Sequence, residues 1–376
     1  MRSIKKRICL IANSDIFFES FLVHQSIVLS NYYDIHIVIN SDKLDKLSNQ
    51  YPNLSFHHFS IRRKKFFLIY DLILFIKLFY FFCKYNFDIV HSFTSKVGCF
   101  SMFIGFLLRI KNRHHTFTGQ TWCKKNFFCW PLYKFADRII SFFSTITFAD
   151  SKSQSKYLLD EKVVHKSKIK VLGNGSISGV DLGKFYPKKS LGIKIRKKLQ
   201  IPLDAFVLIF VGRLCIEKGI FDLINAFSIL DNKNIHLIFV GMLDDDIVEY
   251  LPSNKNIHYL GFKKDVTPFI NASDLLCLPS YREGFGSVVI EAAAVGVPSL
   301  VSNIYGLQDS IIHNKTGLFH IPADPIDISS KINHIYLNKS FYKKMSSDAK
   351  SRAIKFFDKD LVIRYWVKFY KRFLND

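Results

Sequence analysis

Short apolar runs alternate with stretches of helical length along the whole chain, and this alternation constrains the fold more than any other feature. In the first half the runs are Ile8–Ala12, Ile35–Ile39, Asp88–His91, His115–Thr118, Thr145–Ala149 and Lys168–Leu172. The pattern breaks at Asp181–Ser190, where Pro187 and the lysines end a segment. It restarts with Phe206–Gly212, Ile235–Gly241, Ile257–Leu260, Asp274–Pro279 and Pro298–Ser302, separated by helices such as Gly219–Leu230, Val266–Ala272 and Ser287–Val295. Strands that are apolar throughout, with helices between them, belong to parallel sheets covered on both faces. The expectation is an α/β chain of two doubly wound domains in series, 1–187 and 188–355, with a C-terminal helix in 356–376. Lys359–Phe373 has the aromatic face and interleaved basic residues of a terminal helix docked on the body. A length of 376 residues suits two domains at roughly 150 residues each.

Charge and cysteine usage bound the partners. The 53 Lys and Arg exceed the 31 Asp and Glu to give a net +22, of which +15 falls in residues 1–187 and +7 beyond. Such a field attracts polyanions: nucleic acid, anionic lipid or phosphorylated small molecules. No RNA-binding motif or aromatic–basic platform accompanies it, so nucleic acid is not expected as a partner. Seven scattered Cys without a C-x-x-C pair read as reduced thiols of a cytoplasmic protein, not as a disulfide framework or a zinc site. The apolar run after Arg7 lasts five residues, too short for a secretory signal, and reads as a first buried strand.

Phe66–Cys83 is apolar or aromatic except at Asp71 and Lys77. Two central charges, six positions apart, disfavour a membrane span. The segment reads as a long helix packed on a sheet. A second reading has the same helix also touching a membrane surface, because Arg62-Arg63-Lys64-Lys65 precedes it as a basic flank. Arg109, Lys111 and Arg113 form a second candidate patch.

Chemistry concentrates in the second half. Val211-Gly212-Arg213 ends a strand and Glu217-Lys218-Gly219 opens a helix. Arg213 and Lys218 therefore project from the carboxyl end of a parallel strand, where open α/β sheets bind ligands. One planar fork and one point charge on a short loop suit a diphosphate, although solvated cations are common in such loops. The stretch Ser280–Ala292 runs from a strand through a loop containing Gly284, Phe285 and Gly286 into a helix starting near Ser287. That helix N-terminus is suited to an anion. Glu283 and Glu291 would lie about 12 Å apart if the segment were wholly helical, and carboxylates accept well from vicinal hydroxyls. Asp244-Asp245-Asp246 reads as a solvated turn.

These motifs closely resemble retaining glycosyltransferase family 4. The resemblance rests on GRLCIEKG, on Glu283–Glu291 with GFG inside, and on AVGVPSLVSNIYGLQDSIIHNKTGLFH. It extends through DIVHSFTSKVG, HHTFTGQTW and VLGNGSISGVDLGKFYP in the first half, and so covers nearly the whole chain. Three positions depart from the family pattern: the first loop, Asn13-Ser14-Asp15, lacks a Gly-Gly, Phe93 replaces a His, and Thr118 stands where many members carry a His near the donor sugar.

The resemblance implies the GT-B fold, two Rossmann-like domains facing a cleft, with the C-terminal helix crossing back to the first. It implies transfer of a sugar from a nucleotide sugar, first a UDP-sugar such as an N-acetylhexosamine, to an undecaprenyl-diphosphate-linked acceptor in bacterial O-antigen or capsule assembly. GDP-mannose is the alternative donor, and a non-transferring sugar-nucleotide enzyme or an inactive binding subunit is the alternative function. Arg213 and Lys218 would neutralise the leaving phosphates, Glu283 would hold sugar hydroxyls and Glu291 the ribose, with Gly212, Gly284, Phe285, Gly286, Ser287 and Thr118 lining the donor. His115 lies near Thr118 as a second candidate for the missing His. No metal or other cofactor is expected, since the cations and the helix dipole can serve the phosphates. The location implied is cytoplasmic, peripheral to an anionic membrane surface.

Overall fold

The protein, represented by a computed structural model, is described over residues 5–61, 68–123 and 130–374. Arg62, Arg63, Lys64 and Lys65 lie outside the described residues. Two compact units divide the chain, Met1–Ser178 with Lys359–Asp376, and Gly179–Asp358. Residues 179–187 thus belong to the second unit, where the Val180 amide donates to the Phe357 carbonyl at 2.7 Å and Phe185 enters the core.

The first unit is a seven-stranded sheet of β1 (Arg7–Ile11), β2 (Asp34–Ile39), β3 (Ser55–His58), β4 (Ile89–Ser92), β5 (Asn112–Phe117), β6 (Ile146–Ala149) and β7 (Ile169–Lys170). Its order is β3-β2-β1-β4-β5-β6-β7, and every pairing is parallel. The second unit has six strands, β8 (Phe206–Val211), β9 (Ile235–Val240), β10 (Ile257–Tyr259), β11 (Leu275–Leu278), β12 (Ser299–Ser302) and β13 (Gly317–His320). Their order is β10-β9-β8-β11-β12-β13, again wholly parallel. The apolar runs are the central strands: Val207 to Phe210 and Ile235 to Val240 are almost completely buried. Burying one such side chain stabilises by roughly 1.5–3 kcal/mol, which makes these two strands the anchor of the second unit.

Two strands lie outside the apolar runs. β3 is an edge strand of polar composition, Ser-Phe-His-His, with no fully buried residue. β13 is also an edge strand and begins at Gly317, whose bare Cα lets it approach the Ser299 carbonyl. β5 starts three residues earlier than the run His115–Thr118, because Asn112, Arg113 and His114 pair in register with Ile89, Val90 and His91 despite their polarity.

The helix Lys359–Leu374 belongs to the first unit. Its buried residues Val362, Ile363, Trp366, Phe369, Tyr370 and Leu374 recur at helical spacing. Trp366 donates its indole N–H to the Ile177 carbonyl at 2.9 Å. His91 bridges the Tyr370 hydroxyl at 2.6 Å and the Thr116 hydroxyl at 2.8 Å. Burial pushes the His91 pKa well down, so the ring is a neutral strut between sheet and helix.

The long apolar segment is the helix Leu68–Tyr85. Asp71 is accommodated by an ion pair with Lys96 of the next helix at 2.7 Å. No helix among the described residues is long and apolar enough to cross a membrane. Arg113 is not a surface charge: its guanidinium donates to the Phe143 carbonyl at 2.7 Å and to the Ile110 carbonyl.

Candidate active site

In the second unit the chain order reverses between β8 and β11, the position where a doubly wound sheet opens a crevice at its carboxyl edge. The loops leaving these two strands carry Gly212, Arg213 and Lys218, and Ser280 to Gly286. Adjacent strands explain how residues 65 positions apart meet. Lys218 Nζ lies 2.5 Å from Glu283 Oε1, and the Ser280 hydroxyl donates to the same oxygen at 2.9 Å. The Glu283 side chain is 14% exposed and that of Lys218 22%, so the pair is sheltered yet reachable.

Further contacts stitch the two loops. The Tyr281 amide donates to the Glu217 carbonyl at 3.0 Å, and its hydroxyl to Asp222 at 2.6 Å. Arg282 reaches the Glu217 carboxylate at 2.9 Å. Gly219 makes this proximity possible. It closes the turn Ile216–Lys218 at φ +67°, and any Cβ there would overlap the Pro279 carbonyl.

Arg213 is half exposed and stands between two acids, 3.9 Å from Glu217 and 3.8 Å from Asp244. Asp244 is therefore part of the charge arrangement at the β8 loop rather than only a solvated turn. These separations hold the guanidinium loosely, with its fork able to take a planar anion.

The helix Ser287–Val295 starts from Gly286 at φ +72°, which supplies no side-chain cap. Its first turn has no acidic residue, so the positive end of its dipole faces the loop uncompensated. Phe285 does not present its ring to this space. It is buried, 5.3 Å from the Phe357 ring, and contributes only backbone, as do buried Gly284 and half-buried Gly286. Ser287 is half-buried at the first helical position. Glu291 lies in the second turn and is half-buried; burial pushes its pKa up to about 7, against the pull of the Lys184 ammonium. The structure thus places Lys218 and Glu283 in direct contact and puts Glu291 beyond them on the helix.

Thr118 and His115 belong to the first unit. Thr118 follows β5 and is half-buried, its hydroxyl 3.4 Å from the Phe93 carbonyl. His115 is 1% exposed and bonded to the Ser92 hydroxyl at 2.8 Å, and burial pushes its pKa down to about 3. A neutral ring sealed in the sheet cannot take the place of a histidine at a donor sugar. Phe93, buried and stacked 4.3 Å from His91, is likewise a core residue.

Four participants were not singled out by sequence: Ser280, Glu217, Asp222 and Gly306. Ser280 sits inside the recognisable stretch. Gly306, in the loop after β12, approaches so closely that a Cβ there would overlap the Glu283 carbonyl. Among the described residues no group of three or more His, Cys, Asp or Glu is arranged to hold a metal ion.

Residues 193–352 match the family described as glycosyl transferases group 1. The chain is 30% identical over 353 residues to the capsular polysaccharide biosynthesis glycosyltransferase CapM of Staphylococcus aureus, covering 91% of each chain. It is 28% identical over 271 residues, 69% of each, to the Escherichia coli UDP-Gal:alpha-D-GlcNAc-diphosphoundecaprenol alpha-1,3-galactosyltransferase. Among solved structures, Anabaena Alr3699/HepE in complex with UDP and glucose superposes with a TM-score of 0.81 at 19% identity, over 97% of this chain and 99% of that one. The lipopolysaccharide glycosyltransferase WaaG superposes with a TM-score of 0.70 at 14% identity, over 95% and 98%. With its two wholly parallel sheets and this kinship along nearly its full length, the chain belongs to the group 1 glycosyl transferases and is a glycosyltransferase of the GT-B fold.

Proposed function

We propose that the protein transfers a sugar, with retention of anomeric configuration, from a UDP-sugar to an undecaprenyl-diphosphate-linked acceptor in the assembly of a bacterial surface polysaccharide. The observation that carries this reading is the Lys218–Glu283 pair, built from two loops at the sheet's switch point. Lys218 keeps two further N–H donors after bonding Glu283, and Arg213 stands beside it on the same loop. Charge that grows on the departing diphosphate would be met by these two cations and by the open N-terminus of Ser287–Val295, which is where transition-state stabilisation is most effective.

Both contacts of Glu283 fall on Oε1, and in this reading Oε2 would accept from hydroxyls of the transferring sugar. Glu291 would hold the ribose. The bond from anomeric carbon to diphosphate breaks, the acceptor oxygen bonds to that carbon from the same face, and the acceptor proton passes to a phosphate oxygen of the leaving group. No protein base is needed, in keeping with the burial of His115. No metal is needed either in this reading, because Arg213, Lys218 and the helix N-terminus would serve the phosphates.

The relatives' names support the lipid-linked acceptor and the uridine donor. One acts on a GlcNAc-diphosphoundecaprenol, and another, from Campylobacter jejuni, on a bacillosaminyl-diphospho-undecaprenol as an N-acetylgalactosaminyltransferase. The test is turnover against a panel of nucleotide sugars with a short polyprenyl-diphosphate sugar acceptor, followed by assignment of the product's anomeric configuration by NMR. A UDP-hexose or UDP-N-acetylhexosamine giving an α-linked product fits the reading. Exclusive use of GDP-mannose, or an inverted product, overturns it.

A further inference from the structure

Three helices of the first unit are apolar on the side that faces solvent. Leu68–Tyr85, Ser95–Leu107 and Trp130–Phe143 lie over one face of the sheet, where Leu74, Leu78, Val97, Met102 and Ile140 share a single core. A seam of rings ties them together: Phe75 is 6.0 Å from Phe103, which is 5.0 Å from Phe143. They therefore form one layer with a common outer side.

On Leu68–Tyr85 the outer side is a stripe of Ile69, Leu72, Ile73, Ile76 and Tyr80, each 44–73% exposed. At 3.6 residues per turn these positions fall within an arc of about 100°, opposite the buried Leu74, Leu78, Phe81 and Phe82. An ordinary surface helix puts its polar residues on that arc; here there is none. The third helix repeats the feature with Leu132, Phe135 and Phe142 at 53–72% exposure, and Phe106 and Leu107 fill the space at the end of the second. A continuous exposed apolar surface of this kind marks an interaction site.

Charge identifies the occupant. The only acidic residues in these three helices are Asp71, held by Lys96, and Asp137, which is buried and accepts from the Trp122 indole. Lys77 and Lys84 flank the stripe, and Lys111 and Arg138 extend the basic rim, all exposed. Two copies of the chain meeting through this face would bring like charges together. An anionic bilayer meets both features at once, the rim with its headgroups and the stripe with its acyl boundary. We infer that this three-helix face docks on an anionic membrane surface, with the Ile69–Tyr80 stripe inserted at the level of the acyl boundary. This deepens the proposed use of a lipid-linked acceptor, yet docking is measured without donor or acceptor, so either reading can fail alone.

The experiment is flotation of the full chain with vesicles of phosphatidylcholine alone or mixed with phosphatidylglycerol, at low and high salt. Wild type is expected to float with the mixed vesicles, at least about tenfold more weakly with neutral ones, and to retain part of its binding at high salt. The variant Leu72→Ser/Ile76→Ser/Phe135→Ser should lose at least roughly tenfold in vesicle affinity at every salt concentration. Its melting temperature and its turnover of a water-soluble donor should stay those of wild type. Lys77→Gln/Lys84→Gln should lose only the salt-sensitive part. The inference is overturned if wild type does not float, or if the triple variant floats equally well. It is also overturned if light scattering shows a dimer that the triple variant converts to monomer, since the face would then be covered by a second copy.

Discussion

Replacing Gly306 by alanine tests whether the position of Glu283 is set by backbone packing. An ideal Cβ on Gly306 would overlap the carbonyl oxygen and carbon of Glu283 and lie 3.1 Å from its Cα. Bringing the oxygen out to the 3.0 Å at which real Cβ atoms begin to occur requires movement of about 1 Å. The loop after β12 resists, because Leu307 is fully buried and the Arg352 guanidinium donates to the Asp309 and Ser310 carbonyls. The Glu283 loop therefore takes up the shift, stretching its contacts to Lys218 and Ser280. A displacement of this size at a reacting group costs on the order of 10² in rate. Gly306→Ala should thus lower kcat about 10²-fold while the circular dichroism spectrum remains that of the folded protein. Gly261→Ala is the control: its φ of +66° strains any side chain, but a Cβ there meets nothing within 4 Å. It should lower the melting temperature and leave kcat alone. A folded Gly306→Ala enzyme with wild-type kcat would refute the claim that this glycine fixes the carboxylate.

Arg213→Ala and Lys218→Ala should each reduce turnover at saturating donor by about 10²–10³, with circular dichroism melts showing that the fold persists. Glu283→Gln should lower kcat, whereas Glu291→Gln should mainly raise the KM for donor, because the ribose does not react; steady-state kinetics that reverse this split would exchange the two roles. Glu291 also carries a pH signature. Its pKa of about 7 in the folded chain lies above the ordinary 4.5, so the folded state binds the extra proton and stability declines as pH rises from about 4.5 through 7. Glu291→Gln should therefore gain in melting temperature over wild type on going from pH 5 to pH 8, with a ceiling of about 3 kcal/mol that solvent access reduces. Turnover should be unchanged by EDTA, and a loss reversed by a divalent ion would show that the cations do not suffice.

The fold was legible wherever burial is uniform. Val207–Phe210 and Ile235–Val240 are apolar because both faces of each strand are covered, and such runs have no other stable placement. Two of the four edge strands escape that logic. Ser55–His58 and Gly317–His320 each have a neighbour on one side only, so their composition carries little of the strand signal. The long helix Leu68–Tyr85 shows the opposite limit. It is apolar on both sides, and sequence periodicity could not separate the side packed on the sheet from the side left to solvent.

The site divides in the same way. Lys218 and Glu283 stood out as candidates because charged residues beside glycines follow strand ends where open α/β sheets bind ligands, although solvated charges are common there too. Their direct contact was not readable, since it depends on β8 and β11 being neighbours although β9 and β10 intervene in sequence. Asp222 was hidden for a related reason: on its own helix it is an ordinary first-turn acid, and only the Tyr281 hydroxyl at 2.6 Å gives it a task. His115 is the converse: proximity to Thr118 in sequence made it a second candidate for the missing His, and only the fold shows the sheet closing over it. Gly306 is the extreme case. Its contribution is the absence of a side chain where two loops from different strands touch, and no residue pattern records a distance of closest approach. That is why the alanine substitution there discriminates best: it changes no charge and no hydrogen-bonding group, and alters only the separation on which the placement of Glu283 depends.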